Sequence, residues 1–141
     1  MAGPQSVLAT MSAISKGGRA GGKVALAGGG LWLHNEHAKG LGGSGEGVNP
    51  EELFAMGWAT CFNGAVLFVA AQKKIDASKA IVKVDVSIAR DDTSFALSAK
   101  ITLSAPGLEP AQVRELVEAA HQVCPYSKAT RNNVPVELAV E

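Results

Sequence analysis

The stretch that decides the fold is Asn49-Pro50-Glu51-Glu52-Leu53-Phe54-Ala55-Met56-Gly57-Trp58-Ala59-Thr60-Cys61-Phe62-Asn63-Gly64-Ala65-Val66-Leu67-Phe68-Val69-Ala70-Ala71. Its start is built like a helix N-terminus. Asn49 can cap, Pro50 fits the first helical position, and Glu51 and Glu52 sit at the positive end of the helix dipole. From Leu53 to Ala71 there is no charged residue, so a helix here, running to about Lys74, is apolar on every face. That length meets the criterion for a membrane span. The polar and small residues Gly57, Thr60, Asn63 and Gly64 and the amphipathic flanks point instead to the buried centre of a soluble fold. Gly57 and Gly64 weaken the helix and predict a kink or break.

Outward from this helix the chain alternates between the two secondary-structure periods. Ile81–Arg90 places Val82, Val84, Val86 and Ile88 on one face, and 94–103 places Phe95, Leu97, Ala99, Ile101 and Leu103 likewise. Asp91-Asp92 between them predicts an antiparallel hairpin. Pro110 opens a second helix whose apolar face carries Val113, Leu116, Val117, Ala120 and Cys124, and Pro125 ends it. A last strand over 134–140 turns Val134, Val136, Leu138 and Val140 inward. Upstream, 7–14 and 23–27 read as short strands, Gly28-Gly29-Gly30 as a turn before Leu31-Trp32-Leu33, and 40–47 as a glycine-rich connection. The fold class is α+β with a mainly antiparallel sheet, in a single domain over 1–141.

Composition narrows the function. The 141 residues are 47% hydrophobic and 18% charged, a globular balance with enough material for one core. Thirteen basic residues offset thirteen acidic ones without a basic cluster, which argues against nucleic acid or an anionic membrane surface as partner. The start Met-Ala-Gly-Pro-Gln lacks the charge and apolar run of a signal peptide, so a cytoplasmic location is expected. In that reducing compartment Cys61 and Cys124 are either small buried hydrophobes or working thiols. Both fall on interior-facing positions, so the two thiols can meet. A thiolate needs positive charge nearby. Arg19, inside Gly17-Gly18-Arg19-Ala20-Gly21-Gly22, is one cation whose glycine neighbours permit close approach; a solvated loop arginine is the other reading of it.

The histidines say less. His34 and His37 have metal-compatible spacing but lack companion ligands, and His121, one turn before Cys124, is either a base, a ligand or a half-buried helix residue. No resident metal or cofactor is expected. The glycine run at 40–47 has no Gly-Lys-Ser/Thr to make it a phosphate cradle, and no Gly-x-Ser-x-Gly or Ser/His/Asp order is present.

The run from Asn49 through Phe62, together with His121-Gln122-Val123-Cys124-Pro125-Tyr126-Ser127, resembles the organic hydroperoxide resistance (Ohr) subfamily of the OsmC-like proteins. Gly17-Gly18-Arg19 and Ala129-Thr130-Arg131-Asn132 resemble it too, while Trp58-Ala59-Thr60 and the stretch 28–41 depart from its usual wording. The resemblance covers almost the whole chain. It implies curved, mainly antiparallel sheets wrapped around the central apolar helices of an intertwined, obligate homodimer. It also implies a thiol-dependent peroxidase acting on organic hydroperoxides and reduced by a dithiol of the lipoyl type. By position, Cys61 is the peroxidatic thiol and Cys124 the resolving one, joined by a disulfide in the cycle, with Arg19 and Glu51 as the pair that activates the thiolate. Phe54, Met56, Trp58, Phe62 and Phe68 are the expected apolar pocket for a bulky peroxide. Three alternatives stay open: the osmotically inducible branch of the superfamily, a non-enzymatic dimer that binds an apolar ligand, and a zinc site at His121 and Cys124.

Overall fold

The computed structural model describes residues 3–141. It divides into two compact units, Met1–Pro50 and Glu51–Glu141. In the first, β1 (Ala13–Lys16), β2 (Lys23–Leu26) and β3 (Leu33–His34) form a small antiparallel meander. The expected strand over 7–14 is displaced to Ala13–Lys16, and Val7 and Leu8 lie exposed outside any strand. Their loose alternation has no core to face, so propensity alone does not fix them. Lys39–Leu41 is a single 3-10 turn within the glycine-rich segment.

Lys16 and Lys23 are register partners, so residues 17–22 close the β1–β2 hairpin with Arg19 in the loop. Gly22 is obligatory there. A Cβ on it would lie 2.1 Å from the Gly18 carbonyl oxygen, a backbone atom that cannot swing aside.

The second unit is built on α1 (Pro50–Gln72), β4 (Ile81–Arg90), β5 (Phe95–Ser104), α2 (Pro110–Val123), α3 (Pro125–Thr130) and β6 (Val136–Val140). Helix α1 begins at Pro50 as its sequence predicts, but it is continuous and ends at Gln72 rather than breaking near Gly57 or Gly64. Gly57 lies against Tyr126: a Cβ there would sit 3.1 Å from the Tyr126 hydroxyl and 3.2 Å from its ring, so an added methyl needs that ring to give by a few tenths of an ångström. The expectation that α1 is buried on every face is half met. Trp58, Phe62, Val66 and Val69 enter the core, whereas Met56, Leu67 and Phe68 of the opposite face stay exposed, Phe68 by 56%.

Strands β4 and β5 pair antiparallel along their full length, from Ile81↔Ser104 to Arg90↔Phe95. Their turn is held by the Asp91 carboxylate, which accepts from the N–H groups of Thr93 (2.8 Å) and Ser94 (2.7 Å). Phe95, expected to face inward, is 51% exposed at the open end of the hairpin, where the guanidinium of Arg90 lies over its ring. Strand β6 starts at Val136, two residues later than its alternation suggests, and pairs parallel to β5. The sheet is therefore mixed, in the order β4-β5-β6. A parallel return needs a crossover, and α2 and α3 supply it.

Helix α2 opens on a capping box, with Glu109 N–H donating to Gln112 Oε1 at 3.2 Å and Pro110 at the first helical position. Its Leu116 and Val117 meet Ile101 and Leu103 of β5 and Trp58, Phe62 and Val66 of α1 in one core cluster. Each of the larger side chains contributes about 1.5–3 kcal/mol by leaving water.

Candidate active site

Both cysteines lie in the second unit, and the structure brings them together as free thiols. Cys61 is in the middle of α1, half-buried and packed against the core beside Phe62. Cys124 is fully buried, and its backbone is the pivot between α2 and α3. The following proline confines Cys124 to an extended conformation (φ −64°, ψ 123°), which stops α2. The same Pro125 then opens α3, so the residue expected to terminate a helix also starts one. The Cys124 N–H closes α2 on the Ala120 carbonyl (2.9 Å), and its carbonyl accepts from Lys128 N–H (3.0 Å). Held this way, Cys124 Sγ donates to Cys61 Sγ across 3.5 Å.

The local electrostatics within this unit disfavour ionisation of Cys61. Burial pushes its thiol up, and Cys124 adds to this both by its hydrogen bond and by its charge; a hydrogen bond with the Tyr126 backbone pulls down. A nucleophilic Cys61 therefore needs a cation beyond these groups.

The apolar residues expected to line a pocket divide into three kinds. Trp58 and Phe62 are completely buried core residues, because they occupy the α1 face that meets α2 and β5. Phe54 is partly buried between the Trp58 ring (5.3 Å between centroids, edge-on) and the Tyr126 ring (6.2 Å). Met56 and Phe68 lie on the exposed face. A cleft of about 450 Å³ runs along that side of α1, lined by Ala59, Thr60, Asn63, Gly64, Leu67 and Val82. The buried Asn63 Oδ1 has no hydrogen-bond partner among the described residues.

Tyr126 and Ser127 were not singled out in the sequence. Along the chain they form only a cap-like first turn after an extended Cys-Pro step, which carries no mark of their buried partners. Ser127 is completely buried. Its Oγ lies 3.3 Å from Trp58 Nε1 and 2.9 Å from His121 Nδ1. The His121 ring lies tilted beside Phe62, 6.4 Å between centroids, and its carbonyl accepts from Arg131 (2.6 Å). Burial, with Arg131 adding to it, holds its imidazole below the usual range. His34 pairs with Glu36 (3.1 Å), and no group of three or more metal-ligating side chains gathers among the described residues.

Arg19 belongs to the first unit and Glu51 to the second. Glu51 stands in the first turn of α1, ten residues before Cys61 in an unbroken helix, or about 15 Å along its axis.

Comparison with known proteins places the chain and its fold in a family. Residues 43–139 match the family described as OsmC-like protein. The organic hydroperoxide resistance protein of Xanthomonas axonopodis pv. citri is 40% identical over 142 residues, spanning 99% of both chains. The crystal structure of an organic hydroperoxide resistance protein from Legionella pneumophila superposes with a TM-score of 0.88 at 38% identity, covering 96% of this chain and 99% of that one. OhrB of Bacillus subtilis superposes at 0.85 with 36% identity, over 96% and 100%. This chain belongs to the OsmC-like family and, within it, to the organic hydroperoxide resistance branch.

Proposed function

We propose that the protein is a cytoplasmic thiol peroxidase that reduces organic hydroperoxides to alcohols. The observation that carries this reading is the 3.5 Å contact between two free thiols, one half-buried and one buried, on separate elements. In the first step the Cys61 thiolate attacks a peroxide oxygen. The O–O bond breaks, Cys61 becomes a sulfenic acid, and the alkoxide takes a proton and leaves as the alcohol. Cys124 then attacks the Cys61 sulfur, the S–O bond breaks, water leaves, and a Cys61–Cys124 disulfide forms. A dithiol of the lipoyl type restores both thiols by two exchanges.

Arg19 is the proposed activating cation, with Glu51 fixing its guanidinium. Support comes from the upward push that burial and Cys124 exert on Cys61, from the tight glycine hairpin that carries Arg19, and from the family resemblance. The proposed working form is an obligate homodimer. Its support is the uncovered apolar face of α1 and the adjoining cleft, which a second copy would close.

Steady-state kinetics with a lipoyl-type dithiol test the reading. Bulky apolar hydroperoxides should exceed hydrogen peroxide in kcat/KM by on the order of a hundredfold, the worth of burying about four methylenes. Comparable efficiencies would contradict the preference for organic hydroperoxides, and no turnover with either peroxide would leave a non-enzymatic apolar-ligand carrier.

A further inference from the structure

We infer that Ser127, anchored by Trp58 and His121, is a positioning residue for closure of the Cys61–Cys124 disulfide. This rests on the reading of the two thiols as attacking and resolving partners. Ser127 is polar yet completely buried, and its single hydroxyl meets two ring nitrogens. The roles follow from chemistry. An indole N–H only donates, so Ser127 Oγ accepts from Trp58. The contact with His121 holds in either neutral tautomer: Nδ1 accepts the hydroxyl proton when the ring proton is on Nε2, or donates to the second lone pair of Oγ when it is on Nδ1. The downward push on His121 from burial and Arg131 suits a neutral ring.

The relay joins the three helices that hold the sulfurs. Trp58 precedes Cys61 by three residues in α1, His121 precedes Cys124 by three in α2, and Ser127 follows Cys124 by three in α3. Trp58, Ser127 and His121 thus fix α1, α3 and α2 against one another one helical turn from each thiol. Closure must shorten the 3.5 Å contact to about 2.05 Å with a defined dihedral angle. No hydrogen bond in the relay touches either sulfur. Its effect is on how often the buried Cys124 faces Cys61 in line, not on the first attack.

Closure can be read without any peroxide. Cystamine converts one thiol to a mixed disulfide, releasing one cysteamine; the second thiol then attacks, forming the internal disulfide and releasing the other. Rapid quenching and mass spectrometry follow both steps. Ser127→Ala should slow the second step by roughly ten- to a hundredfold, the usual effect of a small misplacement of reacting groups, with the first step within about twofold of wild type. Trp58→Phe keeps a buried ring and removes only the N–H, and it should slow closure in the same direction. The double variant should be no slower than Ser127→Ala, because the bonds act as a unit. If Ser127→Ala does not fold, Trp58→Phe decides alone.

Wild-type closure rates in the folded variants, even with a lowered Tm, would overturn the inference and leave the relay a purely structural feature. Slow closure in the variants of a protein that fails to turn over hydroperoxide would keep the inference and remove the peroxidase reading instead.

Discussion

At the scale of single residues, the problem the molecule has to solve is the ionisation of Cys61. A thiol in an apolar helix, facing a second thiol, is pushed away from the reactive form. The proposed answer is Arg19, and it has a consequence in pH. Removing a cation that favours the thiolate raises the thiol pKa, so less thiolate exists at neutral pH and reactivity appears only as the pH rises. In Arg19→Ala the pH profile of Cys61 alkylation should therefore move upward, with burial and Cys124 acting unopposed by the arginine, while the Tm changes little. An unchanged profile would take Arg19 out of the mechanism. That Cys61 and Cys124 could meet was legible from residue type and periodicity, because both fall on interior positions; their roles as attacking and resolving thiols are what the family resemblance implies. Ser127 was not, since a serine in a short turn after proline looks like any cap until its buried partners on two other helices are known.

At the scale of elements, strand β4 was readable to the residue because alternating Val82, Val84, Val86 and Ile88 admits only one period. Its partner β5 and the turn at Asp91 followed from the same pattern. Three features were hidden for physical reasons. Pro125 has two helical meanings, end and beginning, and only the chain geometry at Cys124 shows both. The parallel pairing of β6 depends on where the α2–α3 crossover delivers the chain, which periodicity does not encode. Gly57 and Gly64 suggested a break that the packed helix does not make, because tertiary contact overrides propensity. Gly57 then gives a test. Gly57→Ala gains helix propensity, about 1 kcal/mol at most, against a few tenths of an ångström of movement by the half-exposed Tyr126 ring. Urea unfolding should show stability equal to or up to about 1 kcal/mol above wild type. A loss of more than about 1 kcal/mol would mean that the ring cannot yield, and that the Tyr126 contact is rigid.

At the scale of the whole molecule, the unbroken α1 bears on how the proposed site is assembled. Glu51 and Cys61 are too far apart along one helix, by about 15 Å, for a carboxylate to orient a guanidinium held against that same sulfur. Glu51 and Arg19 supplied by a second chain would meet the need, and the exposed side of α1 offers the surface for that chain. Mixing Cys61→Ser protein with Glu51→Ala protein should then restore one working site per heterodimer, measured as peroxide turnover above either parent. Recovery no greater than the parents would put the residues in the same chain. The two-thiol chemistry itself is tested most directly by locating the oxidised atom after one equivalent of an alkyl hydroperoxide, using a sulfenic-acid trap and peptide mass spectrometry. The account predicts a Cys61–Cys124 disulfide in wild type and a trapped sulfenic acid on Cys61 in Cys124→Ser. A sulfenic acid trapped on Cys124 in Cys61→Ser, or wild-type thiols that survive the peroxide, would contradict it.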